Sequence, residues 1–402
     1  MDDLAAPALA SDEGVASASA VQFLAIKSDN AFLVCDSRGD IRGGADGLFF
    51  DDTRLLSRYR FLVGDRRPSQ LSSGLSHDSV VFTFHGSNLG LAPVGGRATR
   101  RGVIHIERKR FLFEGRMFER VRCANFGLDE VMLPLAFEYE ADFRDLFEVR
   151  GLKRKRRGEV LPIRIDGRQV SFAYDGLDDV RRAGAASFSE PPWRMTEERA
   201  DFMFSLRPGE RVDLHVEAGD GDGAHETPSR ERFVRALGGA RAKVRGHGGR
   251  GGQIGCSDSR FGAWLDKSRA DVSLLVTDLA TGPYPYAGIP WFSTSFGRDG
   301  ILTAWQLLWI DPSLARGVLT YLASRQATEV STFRDSQPGK IMHETRRGEM
   351  AATHEIPFGL YYGGVDTTPL FVALAGAYLE RTGDLALVEA LWPALRAAVD
   401  WV

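Results

Sequence analysis

Three cysteines in 402 residues, Cys35, Cys123 and Cys256, stand too far apart to make a close ligand pair or a disulfide framework. That scarcity fits a reducing compartment. Long apolar runs are missing as well. No stretch approaches the roughly 18 residues that a membrane-spanning helix requires. There is also little net charge: 51 Lys and Arg against 54 Asp and Glu leave −3. Such a balance gives no overall field to draw a nucleic acid or an anionic membrane. The opening stretch MDDLAAPALASDEGVASASA has neither the basic start nor the apolar run of a secretory signal. These absences predict a cytoplasmic protein with a disordered tail over residues 1–19 and no nucleic-acid or membrane partner.

What is present is a globular composition, 43% hydrophobic and 26% charged, on a chain long enough for two or three domains. From 20 to 217 the pattern is short and alternating. Segments such as SVVFTFHG, RGVIHIERKRFLFEG, VMLPLAFEYEADF and RVDLHVEAG are bounded by Gly, Pro, Asp or Asn. Many short strands of this kind predict an N-terminal β-sandwich of two large sheets. Gly- and Arg-rich sequence then marks a linker at 218–257, with a short helix over Ser229–Leu237. Its DGDG reads as a turn, since the bidentate Glu of a calcium loop does not follow. The glycine-rich stretches do not sit between a strand and a helix, which excludes a nucleotide loop.

After Ser257 the apolar period changes to 3.6. Asp258 caps a helix through Leu265, Val272 and Leu275. A second helix runs over Asp299–Trp309, and DPS starts a third through Leu314, Val318 and Leu322. A fourth begins near Thr367 with Pro369 in its first turn, and a fifth uses Leu387, Leu391, Leu395 and Val402. An irregular segment covers 328–364. Helices joined in such pairs are the unit of an α/α-toroid. The last stripe meets Val402 without a cap, so 258–402 is expected to be the first part of an incomplete (α/α)6 toroid.

Two blocks, GLFFDDTRLLSRYRFLVG (47–64) and ADFRDLFEVRGLKRKRRG (141–158), resemble the N-terminal β-domain of bacterial glycogen debranching enzyme-like proteins. Three more resemble the start of the amylo-α-1,6-glucosidase catalytic domain, a barrel related to glucoamylases. They are YPYAGIPWFSTSFGRDGILTAWQLL (284–308), GKIMHETRRGEMA (339–351) and YYGGVDTTPLFVAL (361–374). The resemblance implies an inverting glycoside hydrolase of the glycogen debranching type, acting on a glucan or oligosaccharide without cofactor or metal. One carboxyl protonates the glycosidic oxygen while another activates water on the opposite face of the sugar. In the barrel relatives both come from later loops, so the acid and base are expected beyond Val402. Glu344 and Asp366 are the candidates within the chain. Two rivals stand beside this reading. One is a non-catalytic carbohydrate-binding protein. The other is a sugar phosphorylase, which would need Arg, His and Ser or Thr facing the sugar.

By the resemblance, Arg298 and Asp299 hold the hydroxyls of a sugar ring, a task suited to a carboxylate's several lone-pair sites. Helix capping is the alternative for Asp299. Trp291 and Phe292 could stack on a pyranose face or serve the core. Family position also marks His343, Glu344, Arg346 and Asp366 as pocket residues. Glu349 and Glu355 are expected in an ion-pair network that pins the loop. His343 and His354 match no metal-ligand spacing. KRKRR (153–157) reads as a solvated β-loop reaching sugar or pocket carboxylates.

Overall fold

The computed structural model describes residues 23–94, 98–221 and 226–402. The expected tail over 1–19 and the Asp222–Gly223 half of the DGDG turn lie outside the described residues.

Alternation becomes strand in the first half. Ile104–Phe113 buries every second side chain over most of its length and pairs antiparallel with Arg116–Asn125. These two strands lie inside a nine-stranded sheet. Two four-stranded sheets complete the β region. One contains Arg58–Val63, Val131–Glu140, Arg194–Met195 and Arg199–Leu206. The other contains Leu24–Ser28, Ala31–Cys35, Gly47–Phe50 and Thr53–Leu56. Their inner faces share one core, to which Leu33, Leu48, Phe61, Phe84, Val121, Phe137, Phe172 and Val216 contribute. Burial of such side chains at about 25 cal/mol per Å² is the main force holding the layers together.

A short helix α1 (Leu146–Val149) follows, closed by a capping box between Asp145 and Glu148. Helix α2 (Arg230–Gly248) is longer than the Ser229–Leu237 expected. Its Ser229 cap accepts from the Arg232 amide. The Gly238-Gly239 pair does not stop it. A side chain at Gly239 would meet the Phe113 ring at 2.6 Å, so glycine lets the helix lie close on the sheet. Phe233, Ala236 and Ala240 then pack on Phe111 and Phe118. The gain from that contact outweighs the low helix propensity of glycine.

The helical part holds α3 (Ser259–Leu275), α4 (Gly297–Leu307), α5 (Pro312–Ala323), α6 (Glu349–Ala352), α7 (Thr367–Thr382) and α8 (Leu385–Trp401). Asp258, Asp311 and Asp384 cap α3, α5 and α8 through side-chain bonds to backbone amides. Gly383, at φ 69°, ends α7 in the left-handed region. A hairpin, Val276–Leu279 with Gly282–Pro285, separates α3 from α4 and packs on α5; the helical period gave no sign of it. Ile301, Ala304, Leu314, Val318, Leu322, Phe371, Leu374 and Leu391 form the second core. No helix among the described residues is long and apolar enough to cross a membrane.

Candidate functional site

The segment 288–300 sits where the two cores meet. Helix α4 begins at Gly297 with Phe296 as its N-cap residue, and no side chain caps it. Asp299 is therefore in the first turn, not at the cap, where its charge still meets the positive helix end. This corrects the capping alternative. Asp299 is half-buried and has no hydrogen-bond or ion-pair partner among the described residues. Arg298 Nη1 lies 3.2 Å from Asp366 Oδ2, and both side chains are exposed.

Backbone bonds bring the second loop to the same place. The Gly297 amide donates to the His343 carbonyl at 2.8 Å, and the His343 amide donates to the Tyr361 carbonyl at 2.7 Å. Phe296, Glu344 and Tyr361 thus form adjacent bridges. Asp366 precedes α7, so the N-terminal ends of α4 and α7 face one corner. At that corner Gly364 leaves a small opening. A methyl group placed on it would lie 2.8 Å from Thr367 Oγ1, 3.0 Å from His343 Nδ1 and 3.3 Å from Asp366 Oδ1. Thr367 Oγ1 and His343 Nδ1 are both buried without a hydrogen-bond partner. A buried polar atom left unpaired costs about 1–3 kcal/mol, so two beside the Asp366 carboxylate call for a polar ligand or water.

Beneath the corner the charges are committed. Arg346 is buried and donates through Nε to Glu344 Oε1 at 2.7 Å, through Nη1 to Asp52 Oδ1 at 3.0 Å and through Nη2 to the Trp291 carbonyl at 2.7 Å. Burial alone would lower its pKa, but Asp52 and Glu344 hold it above the usual value. Asp52 comes from the turn Asp51–Asp52 of the β region, where both residues have positive φ, tolerated by Asp. Its Oδ2 accepts from the Arg347 amide at 2.9 Å. Trp291 packs against the cluster of Phe32, Val34, Phe49 and Leu146. Phe292 is exposed, edge-on to Phe296 at 5.9 Å between centroids.

The network expected for Glu349 and Glu355 is present. Glu349 Oε2 accepts from Arg154 Nη1 at 2.7 Å and from the Tyr174 hydroxyl at 2.8 Å, and Oε1 accepts from the Leu177 amide at 2.7 Å. Burial would raise this carboxyl, but these donors outweigh it and hold it below the ordinary range. Arg154 also binds Glu355. Asp145 reaches across as well, accepting from the Met350 amide at 3.0 Å. Burial, reinforced by Asp52, pushes Asp145 up to about 6.

Among the residues singled out from sequence, Arg298, His343 and Asp366 converge, with Asp299 beside Arg298. Glu344 and Arg346 lie under them, and Trp291 is turned into the seam between the two cores. Sequence reasoning missed Asp52, Asp145 and Thr367. The first two lie in the quoted blocks 47–64 and 141–158, but nothing local links them to loop residues about 200–300 positions away.

Residues 26–217 match the family described as the N-terminal domain of (some) glycogen debranching enzymes. No curated protein matches the chain by sequence. Among the solved structures that share its fold are two larger proteins. One is described as a kojibiose phosphorylase from the human microbiome, at TM-score 0.60 and 8% identity, covering 90% of this chain and 54% of that one. The other is a bacterial glucoamylase in complex with acarbose, at TM-score 0.51 and 10% identity, covering 95% and 59%. The chain thus spans little more than half the length of either. Over residues 26–217 the chain is thus similar to the N-terminal domain of some glycogen debranching enzymes.

Proposed function

We propose that the chain combines a debranching-type β-domain (20–217) and a linker (218–257) with the sugar-gripping part of an (α/α)6 barrel (258–402). The whole protein acts on α-glucosidic bonds of glycogen-like glucans. The observation that carries this reading is the joining of a debranching-type domain at 26–217 to a β-then-helical fold shared with two larger proteins. The apolar groove of about 360 Å³ between α7 and α8, with Trp392 and Val399 exposed beside it, supports further helices packing there in a complete ring. Three free cysteines suit a cytoplasmic setting.

In this reading Asp299 accepts from sugar hydroxyls, Arg298 donates to them, and His343 and Thr367 offer their unpaired atoms to the same ring. Glu344 and Arg346 hold the floor, and Asp366 positions Arg298. Trp291 fixes the loop from below. None of these is assigned the acid or base, because Glu344 and Asp366 are each engaged by an arginine. Hydrolysis is the first reading, with inversion at the anomeric carbon and two carboxyls roughly 6.5–9.5 Å apart.

A phosphorylase is the second reading. The neighbour with the higher TM-score of the two favours it. So does the presence of Arg298, His343 and Thr367 at one corner, which supplies the donor types a phosphate requires. The test is incubation of the full-length protein with maltotriose, an α-1,6-linked trisaccharide and glycogen, with and without inorganic phosphate. Release of glucose regardless of phosphate supports hydrolysis. Glucose 1-phosphate formed only with phosphate supports the second reading. Binding without turnover contradicts both and leaves a carbohydrate-binding protein.

A further inference from the structure

The run Lys153-Arg154-Lys155-Arg156-Arg157 divides by direction. Arg154 turns inward, its side chain 1% exposed, onto Glu349 and Glu355. Arg157 also turns inward. Its Nη2 donates to the Asp142 carbonyl at 2.8 Å, and its guanidinium lies over the Tyr174 ring at 5.3 Å. Lys153, Lys155 and Arg156 are exposed, and none makes a hydrogen bond, ion pair or ring contact with a described residue. All three line a cleft of about 640 Å³ between the β region and the loop around α6.

The chemistry of that cleft is one-sided. Glu355 is the one carboxylate among its lining residues, and it is already engaged by Arg154 and by the Thr353 hydroxyl at 2.8 Å. Three cations therefore face the space without compensation, in a chain whose net charge is −3. Leu177, Met350 and Ile356 form apolar walls, which concentrate the field of the cations. The buried anchor at Arg154 fixes the loop, so less ordering cost falls on a ligand. Unpaired Lys and Arg donors carried on an anchored loop suit the closely spaced acceptor oxygens of a phosphoryl group. The volume matches a small molecule, since ligand pockets are typically about 300–1,000 Å³.

We propose that this cleft binds a phosphoryl dianion, either free phosphate or a phosphate monoester carried on a sugar. It is separate from the Arg298–Asp299 corner and does not depend on the glucan reading.

The test titrates the full-length protein with inorganic phosphate, glucose 6-phosphate and maltotriose, beside the variants K153A/K155A/R156A and D299A. Both anions are expected to bind the wild type, and the triple variant to weaken that binding at least tenfold. Raising salt from about 50 to 500 mM should weaken it severalfold. Glucose 6-phosphate binding at least tenfold tighter than phosphate assigns the site to a sugar-borne ester; equal binding assigns it to the free ion. The D299A variant should keep its anion affinity while losing maltotriose. The three replaced side chains have no partners, so unchanged thermal unfolding is expected and checks the fold. Anion binding that the triple variant leaves intact overturns the proposal, as does failure of both anions to bind. Failure of the wild type to bind maltotriose while it binds the anions would instead count against the glucan reading.

Discussion

Two charged regions lie one above the other, and they differ in how their charges are used. In the seam between the β region and the loop 341–356, Arg346, Asp52, Glu344, Arg154 and Glu349 all have partners and are almost closed to solvent. At the corner above, Asp299, His343 Nδ1 and Thr367 Oγ1 have none. Both regions are dense in Asp, Glu, Arg and His, so density alone does not mark a binding site. What separates them is whether the protein itself completes the hydrogen bonding. The seam spends its polar groups on joining two cores. The corner leaves these groups unpaired at the N-terminal ends of α4 and α7.

The two regions should respond to substitution in opposite ways. Arg346→Met strips the partner from Asp52 and Glu344 while keeping much of the apolar volume. It should destabilise the protein by about 3–5 kcal/mol, measured by urea unfolding. A loss below about 1 kcal/mol would mean that the seam does not join the cores. Asp299→Ala should do the reverse. Its cost in stability is about 0.3–1 kcal/mol, the share of a first-turn carboxylate at a helix N-terminus. Its glucan affinity should fall at least tenfold, about 1.4 kcal/mol, in a calorimetric titration.

Lys27 makes the stability of the folded chain depend on pH. This buried lysine donates to Thr277 Oγ1 at 2.9 Å, joining the β region to the hairpin 276–285. Burial lowers its pKa from 10.5 to about 7, with Asp29 opposing the shift. Between those two values the unfolded chain holds the proton and the folded chain does not, so this group makes stability rise with pH. Lys27→Met should remove that rise. The wild-type curve should gain on the variant by up to about 1.4 kcal/mol per pH unit between roughly pH 7 and 10, in unfolding series at fixed ionic strength. Parallel curves would show that the amine is not held neutral.

Gly364→Ala is expected to have the smallest effect on glucan affinity. The added methyl crowds Thr367 Oγ1 and His343 Nδ1, so glucan affinity should fall severalfold while the melting temperature moves by a few degrees at most. Equal affinity would remove those two atoms from the proposed site.

The sequence revealed the parts of this structure that are decided locally. Asp258 and Asp311 cap helices because their side chains reach amides two or three residues on. Pro312 opens α5, and Gly383 closes α7, each fixed by its own backbone preference. The strands followed from alternation. The hairpin 276–285 escaped notice because its apolar residues continue the stripe of α3 and its turn is only two residues, Ala280 and Thr281. The length of α2 escaped because a contact with Phe113, far away in sequence, overrides two glycines. The seam was hidden for the same reason: Arg346 and Asp52 are 294 residues apart, and no periodicity reports such a pair. The corner was partly readable, since Arg298 and Asp299 adjoin a helix start. Thr367 passed as an ordinary helix residue, and only the folded chain shows that its hydroxyl lacks a partner.

The most direct measurement is a crystal structure of the protein soaked with maltooligosaccharide. A pyranose ring is expected at the α4–α7 corner, its hydroxyls within hydrogen-bonding distance of Arg298 and Asp299. Sugar ordered elsewhere on the molecule, with that corner holding only solvent, would contradict it.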